Sequence, residues 1–398
     1  MKLKRFFSAA LAAITAVSML AGCNNSNTAD TEATTTAVSE APAITVPESV
    51  AGEIRDIPSM ELIGELVAGW NLGNTFDATG TGLESETSWG NPRTTKETLD
   101  TVKAAGFNLI RIPVTWSGHL DAEDNIDPEW MARVTEVVNY AIDENTYVII
   151  NLHHEDWNNT FADNKEKAVT KMKKIWTQIA DNFKDYDEHL IFEGQNEPRM
   201  KGTNKEWGAG DDEGWDVVNA TNAAFVETVR ASGGNNPKRH LMIPGYCATS
   251  DSSGPERIIL PENDDKIIVS VHAYLPYGFA LDTNPAANKF VADRPAAISD
   301  IQRLVETVKT GYMDKGIPVI IGETGAMNKD NLEARIEWAG YYTKVMREIG
   351  VTCTWWDNGS FSGNGEKFGL LNRRDNTWMF PEVAKAFIEG AGGTCGIQ

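Results

Sequence analysis

The chain has 398 residues, 57 acidic against 36 basic side chains, and a formal net charge of −21. So acidic a protein is not built to hold nucleic acid or to dock on anionic lipid by charge, and it suits a neutral partner. Besides Cys23 there are Cys247, Cys353 and Cys395, far apart, with neither zinc-type spacing nor a dense disulfide framework; they allow one bridge or none.

The first element is a processing segment. Lys2, Lys4 and Arg5 precede an apolar stretch, Phe6 to Leu20, and Leu20-Ala21-Gly22-Cys23 places small residues just before a cysteine. This resembles a bacterial lipobox, so residues 1–22 are expected to be a lipoprotein signal peptide, with Cys23 acylated at a cell surface. The apolar stretch is short for a membrane-spanning helix. Removing its three basic residues takes the net charge from −21 to −24. Residues 23–52 are rich in Thr, Ala, Ser and Glu and poor in large apolar side chains, the composition of a flexible tether. Residues 53–398 then read as one large domain.

Within that domain short apolar or β-branched runs alternate with segments of helical period. Strands are predicted near 66–72, 107–112, 146–152, 189–194, 240–243, 266–272, 317–322 and 352–356. Helices are predicted near 95–105, 128–144, 164–183, 214–232, 295–314, 330–348 and 381–389, and the link 244–265 is too broken by Pro and Gly to show one. Runs such as Val148-Ile149-Ile150 are apolar without alternation, as in a parallel sheet covered on both faces. Eight strand-then-helix units predict an α/β protein, a single (β/α)8 TIM barrel; a doubly wound open sheet is the alternative. No internal repeat or appended module is visible.

In a barrel the reactive groups gather where strands end at their C-terminal side. There the chain places Arg111, then His153, His154 and Glu155, then Asn196 and Glu197, then His272 and Tyr274, then Glu323, and last Trp355, Trp356 and Asp357. One such residue is explained as a solvated strand end; six groups in one register are not. Two carboxyls facing each other across the mouth suit cleavage of a glycosidic bond. One protonates the leaving oxygen, and the other attacks the anomeric carbon from about 5 to 5.5 Å away when configuration is retained. Arg111 reaching Glu323 would favour its charged form, while burial and aromatic surface would raise the pKa of Glu197.

The segments GWNLGNT (69–75), RIPVTW (111–116), LHHE (152–155), FEGQNEP (192–198), HAY (272–274), GETG (322–325) and WWDNG (355–359) resemble glycoside hydrolase family 5 in order and across roughly residues 55–390. GWNLGNTFD, SWGNP and WWDNG together are most similar to a bacterial endoglucanase subfamily that often also accepts xyloglucan, mixed-linkage glucan or xylan. The resemblance implies Glu197 as acid/base and Glu323 as nucleophile of a retaining endo-β-1,4-glucanase, with Arg111, His153, His154, Asn196, His272 and Tyr274 around them and Trp356 as a sugar platform. Within that reading Asn196 donates to a sugar 2-hydroxyl, Tyr274 positions the nucleophile and His272 steers Glu197.

Trp89 and Trp157, in loops after strands, are further candidates for stacking on sugar, whereas Trp70, Trp130, Trp176 and Trp338 sit in core patterns. Trp207 and Trp215 divide evenly between outer subsites and loop packing. Asn71 and Asn74 either line the floor or hold a turn. Adjacent histidines in an extended strand point to opposite sides, so neither metal nor cofactor is expected. The expected partner is a β-linked plant polysaccharide, met by a monomer. Alternatives are xyloglucanase, β-mannanase or xylanase activity, or a glycan-binding lipoprotein without catalysis.

Overall fold

In a computed structural model of the chain, residues 44–397 are described. Eight parallel strands follow one another in sequence order: β1 (Ala68–Leu72), β2 (Leu109–Ile112), β3 (Tyr147–Asn151), β4 (Leu190–Glu193), β5 (Leu241–Pro244), β6 (Ile267–His272), β7 (Val319–Thr324) and β8 (Thr352–Asp357). Strand β8 pairs with β1, which closes the barrel and decides against an open sheet. Every residue of these strands is buried, which accounts for their unbroken apolar runs. A short hairpin of β9 (Leu371–Asn372) and β10 (Thr377–Trp378) follows.

The helices are α1 (Ser59–Glu65), α2 (Lys96–Ala105), α3 (Pro128–Ala141), α4 (Lys165–Asn182), α5 (Asp212–Ala231), α6 (Gly254–Arg257), α7 (Tyr277–Ala280), α8 (Pro295–Gly311), α9 (Leu332–Arg347) and α10 (Pro381–Gly390). Their starts follow from local chemistry. The side chains of Thr95, Asp127 and Asp211 each accept a backbone N–H in the first turn of α2, α3 and α5, and Pro128 opens α3 where no amide partner is needed. Helix α3 stops at Ala141 rather than 144 because Asp143 and Thr146 close a tight turn into β3. The broken link after β5 carries the single turn of α6.

Helix α1 was not expected. Its Leu62 and Ile63, with Leu66, pack on Leu109, Ile149, Ile191, Met242, Ile268 and Ile320 inside the barrel. The helix thereby plugs the end where the strands begin, leaving the opposite end for chemistry.

The signal segment 1–22, Cys23 and the tether as far as residue 43 lie outside the described residues. Residues 44–52, expected to belong to the tether, are mostly exposed but fastened to the barrel: Val50 is fully buried, its carbonyl accepts the Asp187 N–H, and Ala51 bridges to Tyr186. One buried apolar side chain is enough to extend the ordered domain past the compositional boundary. Cys247, Cys353 and Cys395 are unpaired thiols. Among the described residues no helix is long and apolar enough to cross a membrane.

Candidate active site

The site is organised around Arg111, a fully buried cation at the top of β2. Its Nε donates to Glu193 at 2.7 Å, Nη1 to Asn71 at 2.9 Å and to Glu323 at 2.8 Å, and Nη2 to Asn196 at 2.8 Å. Burial works against its charge, but Glu193 and Glu323 hold its pKa above the ordinary arginine value. Glu193 in turn accepts from Asn151 at 3.0 Å and Ser270 at 2.7 Å. Asn71 donates to the Gly322 and Trp355 carbonyls, tying β1 to β7 and β8 beneath the site. A guanidinium with all its faces engaged fixes the directions of the two groups it touches above, Glu323 and Asn196.

A register irregularity between β6 and β7 places His272 opposite Glu323. His272 Nδ1 lies 2.8 Å from Glu197 Oε1 and 3.6 Å from Glu323 Oε2, and the Tyr274 hydroxyl donates to Glu323 at 2.9 Å. A carboxylate oxygen of Glu197 lies within 4.8 Å of one of Glu323, the span over which one sugar carbon can meet both groups. Gly322 permits this closeness, since a Cβ there would come within 3.0 Å of the His272 ring.

Burial pushes the Glu197 carboxyl up, but the hydrogen bond and charge of His272, aided by Arg199, outweigh it and hold the pKa below the ordinary glutamate value. This corrects the expectation that burial and aromatic surface would prevail. Burial likewise opposes the charge of His272, yet Glu323 and Glu197 raise its pKa above the ordinary histidine value, so its contact with Glu197 is one across which the two residues share a proton. Burial and the Glu323 charge drive the Tyr274 phenol well above its usual range, which keeps it a donor. His153 is forced well below its ordinary pKa by burial and its cationic neighbours, and stays neutral.

His153 and His154 lie beyond the end of β3, and their rings meet edge to face at 4.4 Å with both lining the cleft. They do not point apart, because the extended geometry stops at Asn151. Their inner nitrogens are engaged: His153 Nδ1 by Asn151 at 3.2 Å, His154 Nδ1 by the Asp77 carbonyl at 2.9 Å. The Asp77 carboxylate accepts the backbone N–H groups of Asn74 and Thr75.

A cleft of about 760 Å³ runs over the pair. Trp356 lines it and stacks parallel to His153 at 5.8 Å; Gly73 makes room for that indole, as a Cβ there would stand 2.9 Å from the ring. Trp89 lies half in solvent beside His154, 41 % exposed. Trp157 does not reach the cleft. It is buried, with its indole N–H donated to Glu155, which also accepts from Trp116 and Ser117. Trp207 lines the cleft, whereas Trp215 is core; Asn74 lines it too.

The glycosyl hydrolase family 5 cellulase model matches residues 73–362. Endoglucanase B of Ruminococcus albus is 45 % identical over 97 % of both chains. A GH5-4 broad specificity endoglucanase from Ruminococcus champanellensis, solved with bound cellotriose, superposes with a TM-score of 0.81 at 44 % identity, covering 85 % of this chain and 100 % of that one. A xyloglucan-specific endo-β-1,4-glucanase from a metagenomic library, also with cellotriose, gives 0.79 at 43 % identity over 83 % of this chain and 98 % of its own.

The chain belongs to glycoside hydrolase family 5.

It is a retaining endo-β-1,4-glucanase of that family. Around the family's motifs the structure adds groups that sequence reasoning passed over. Glu193 and Asn151 hold the Arg111 hub from inside strands, where nothing in an apolar run marks an inward carboxylate. Glu366 lines the cleft from the loop after β8, its pKa raised by burial and by Glu323 and Glu197. Arg199, directly after the Asn-Glu-Pro motif, and Tyr277 line it as well. Two smaller hollows adjoin the cleft and share Trp89 with it. One is bounded by Asn91, Asn358 and Glu366, the other by Thr79, Asp156, Asn159 and Lys201.

Proposed function

We propose that Glu323 attacks the anomeric carbon of a β-glucan bound across the cleft while Glu197 protonates the leaving oxygen, and that Glu197 then activates the water which releases the sugar. The supporting observation is the pair of glutamates within 4.8 Å, joined through His272. The Arg111 cation and the Tyr274 hydroxyl hold Glu323 in one orientation for in-line attack. Because the Asn196 amide oxygen is taken by Arg111, its NH2 group is turned outward to donate to the sugar's 2-hydroxyl. Trp356 supplies an apolar face for the ring that is cleaved.

The preferred polymer is an unbranched β-1,4-glucan or mixed-linkage glucan, which needs only a path past the glutamates. The third hollow, with Asp156, Asn159 and Lys201, favours a second reading in which a branched xyloglucan is also accepted. We further propose that the protein works as a monomer anchored to the cell surface through acylated Cys23. Hydrolysis measured across carboxymethyl cellulose, lichenan, xyloglucan, mannan and xylan, with product sizing, tests the substrate. Short oligosaccharides appearing together from the glucans support the reading, and release of product from mannan or xylan alone overturns it.

A further inference from the structure

Arg199 is the group that no step above uses, although it is only 15 % exposed and touches the acid directly. Its Nη1 donates to the Glu197 carbonyl at 2.8 Å and stands 3.5 Å from Glu197 Oε2. Its Nε donates to Glu206 at 3.2 Å, and its guanidinium carbon lies over the Trp207 indole, 4.0 Å from the ring centre. Trp207 is 61 % exposed in the loop between β4 and α5 and lines the cleft. Thr249, Ser250 and Tyr277, the last 60 % exposed, line the same cleft. An unsupported indole in a glycine-bearing loop would have many orientations; a stacked guanidinium pinned by two hydrogen bonds leaves it one.

We propose that Arg199 is a positioning residue that couples the leaving-group side of the cleft to the acid: it braces Trp207 as the platform for the departing glucan and presents its charge to the carboxylate that forms as Glu197 gives up its proton. The proposal rests on the glycosidase reading above. A sugar stacked on Trp207 completes a guanidinium–indole–pyranose sandwich, so the cation is best placed when a chain occupies that side. The groups facing Glu197 are His272 from β6, Glu323 from β7, Arg199 itself, and the cleft-lining His154, Cys247 and Glu366. Arg199 and His272 are the two whose charge favours its ionised form most closely, and only Arg199 cannot lose that charge.

The test compares kcat/KM on cellohexaose with that on p-nitrophenyl β-cellobioside, which offers one aryl ring in place of a glucan, for the wild type, Trp207→Ala, Arg199→Lys, their double variant and Arg199→Gln. The cellohexaose-to-aryl ratio is expected to fall about tenfold in Trp207→Ala, similarly in Arg199→Lys, and no further in the double variant. Arg199→Gln is expected to move the basic limb of the pH profile to higher pH, while Arg199→Lys, which keeps the charge, leaves the limb in place. An unmoved ratio in Trp207→Ala, additive losses in the double variant, or an unmoved limb in Arg199→Gln overturns the proposal alone. Failure of the wild type to cleave either substrate overturns the glycosidase reading beneath it.

Discussion

At the scale of single residues, the glutamates and their neighbours make separable demands. Glu197→Gln removes the acid and leaves the shape, so kcat/KM on a glucan is expected to fall about 10²- to 10⁴-fold, with initial-rate assays as the check. His272→Gln removes the partner with which Glu197 shares its proton. Because the His272 pKa is raised and that of Glu197 lowered, the shared proton of the wild type survives to a pH above the ordinary histidine value of 6.5; in the variant a lone carboxyl carries it. The basic limb of the kcat/KM profile is therefore expected to move to lower pH, and a limb that stays put would refute the shared proton. Arg111→Met leaves Glu193 and Glu323 buried without their cation, at a cost of about 3–5 kcal/mol measurable by denaturant unfolding. Much of this constellation is legible in the sequence because Glu197, His272, Tyr274 and Glu323 each end an apolar run. The sign of the Glu197 shift is not, since it turns on a 2.8 Å contact between residues 75 positions apart. Nor is the fate of Trp157: its place after a strand is visible, but the side to which its ring turns depends on the Glu155 carboxylate buried beside it.

At the scale of elements, the eight strands are readable because burial on both faces forces apolar side chains at every position, a signal that survives without neighbours in view. Helix α1 is the counter-example: seven residues show too little periodicity, and its role comes from six strands it meets only in the folded chain. Leu62→Ala is expected to cost about 2–5 kcal/mol in chemical denaturation without altering kcat/KM on a soluble glucan, as Leu62 lies at the end away from the glutamates. The same plug carries a pH response. His240 Nδ1 lies 2.7 Å from the hydroxyl of Ser59 at the start of α1, and burial, with Lys266 and Arg230 nearby, lowers its pKa to about 3. Below pH 6.5 the unfolded chain takes up a proton there that the folded chain refuses until about pH 3. Stability contributed by the neutral imidazole is thus present above 6.5 and lost on acidification, by roughly 1.4 kcal/mol per pH unit. His240→Asn should make the fall of unfolding free energy between pH 6 and 4 shallower by about that slope, and an unchanged slope would contradict the assignment.

At the scale of the whole molecule, the lipobox reading makes its own prediction. Cys23→Ser is expected to shift the protein from the detergent to the aqueous phase in Triton X-114 partitioning, with hydrolysis of soluble glucan retained; equal partitioning of both forms would reject the anchor. The contacts of residues 44–52 show where the described chain enters the barrel. Val50 and Ala51 are fastened to Tyr186 and Asp187, just ahead of β4, on the pole that α1 seals. Residues 44–52 therefore join the barrel at its south, while the glutamates open at its north. Because residues 44–52 enter at that pole, the rim around Glu197 and Glu323 is left clear, and a long fibre can cross it without meeting the segment that enters below.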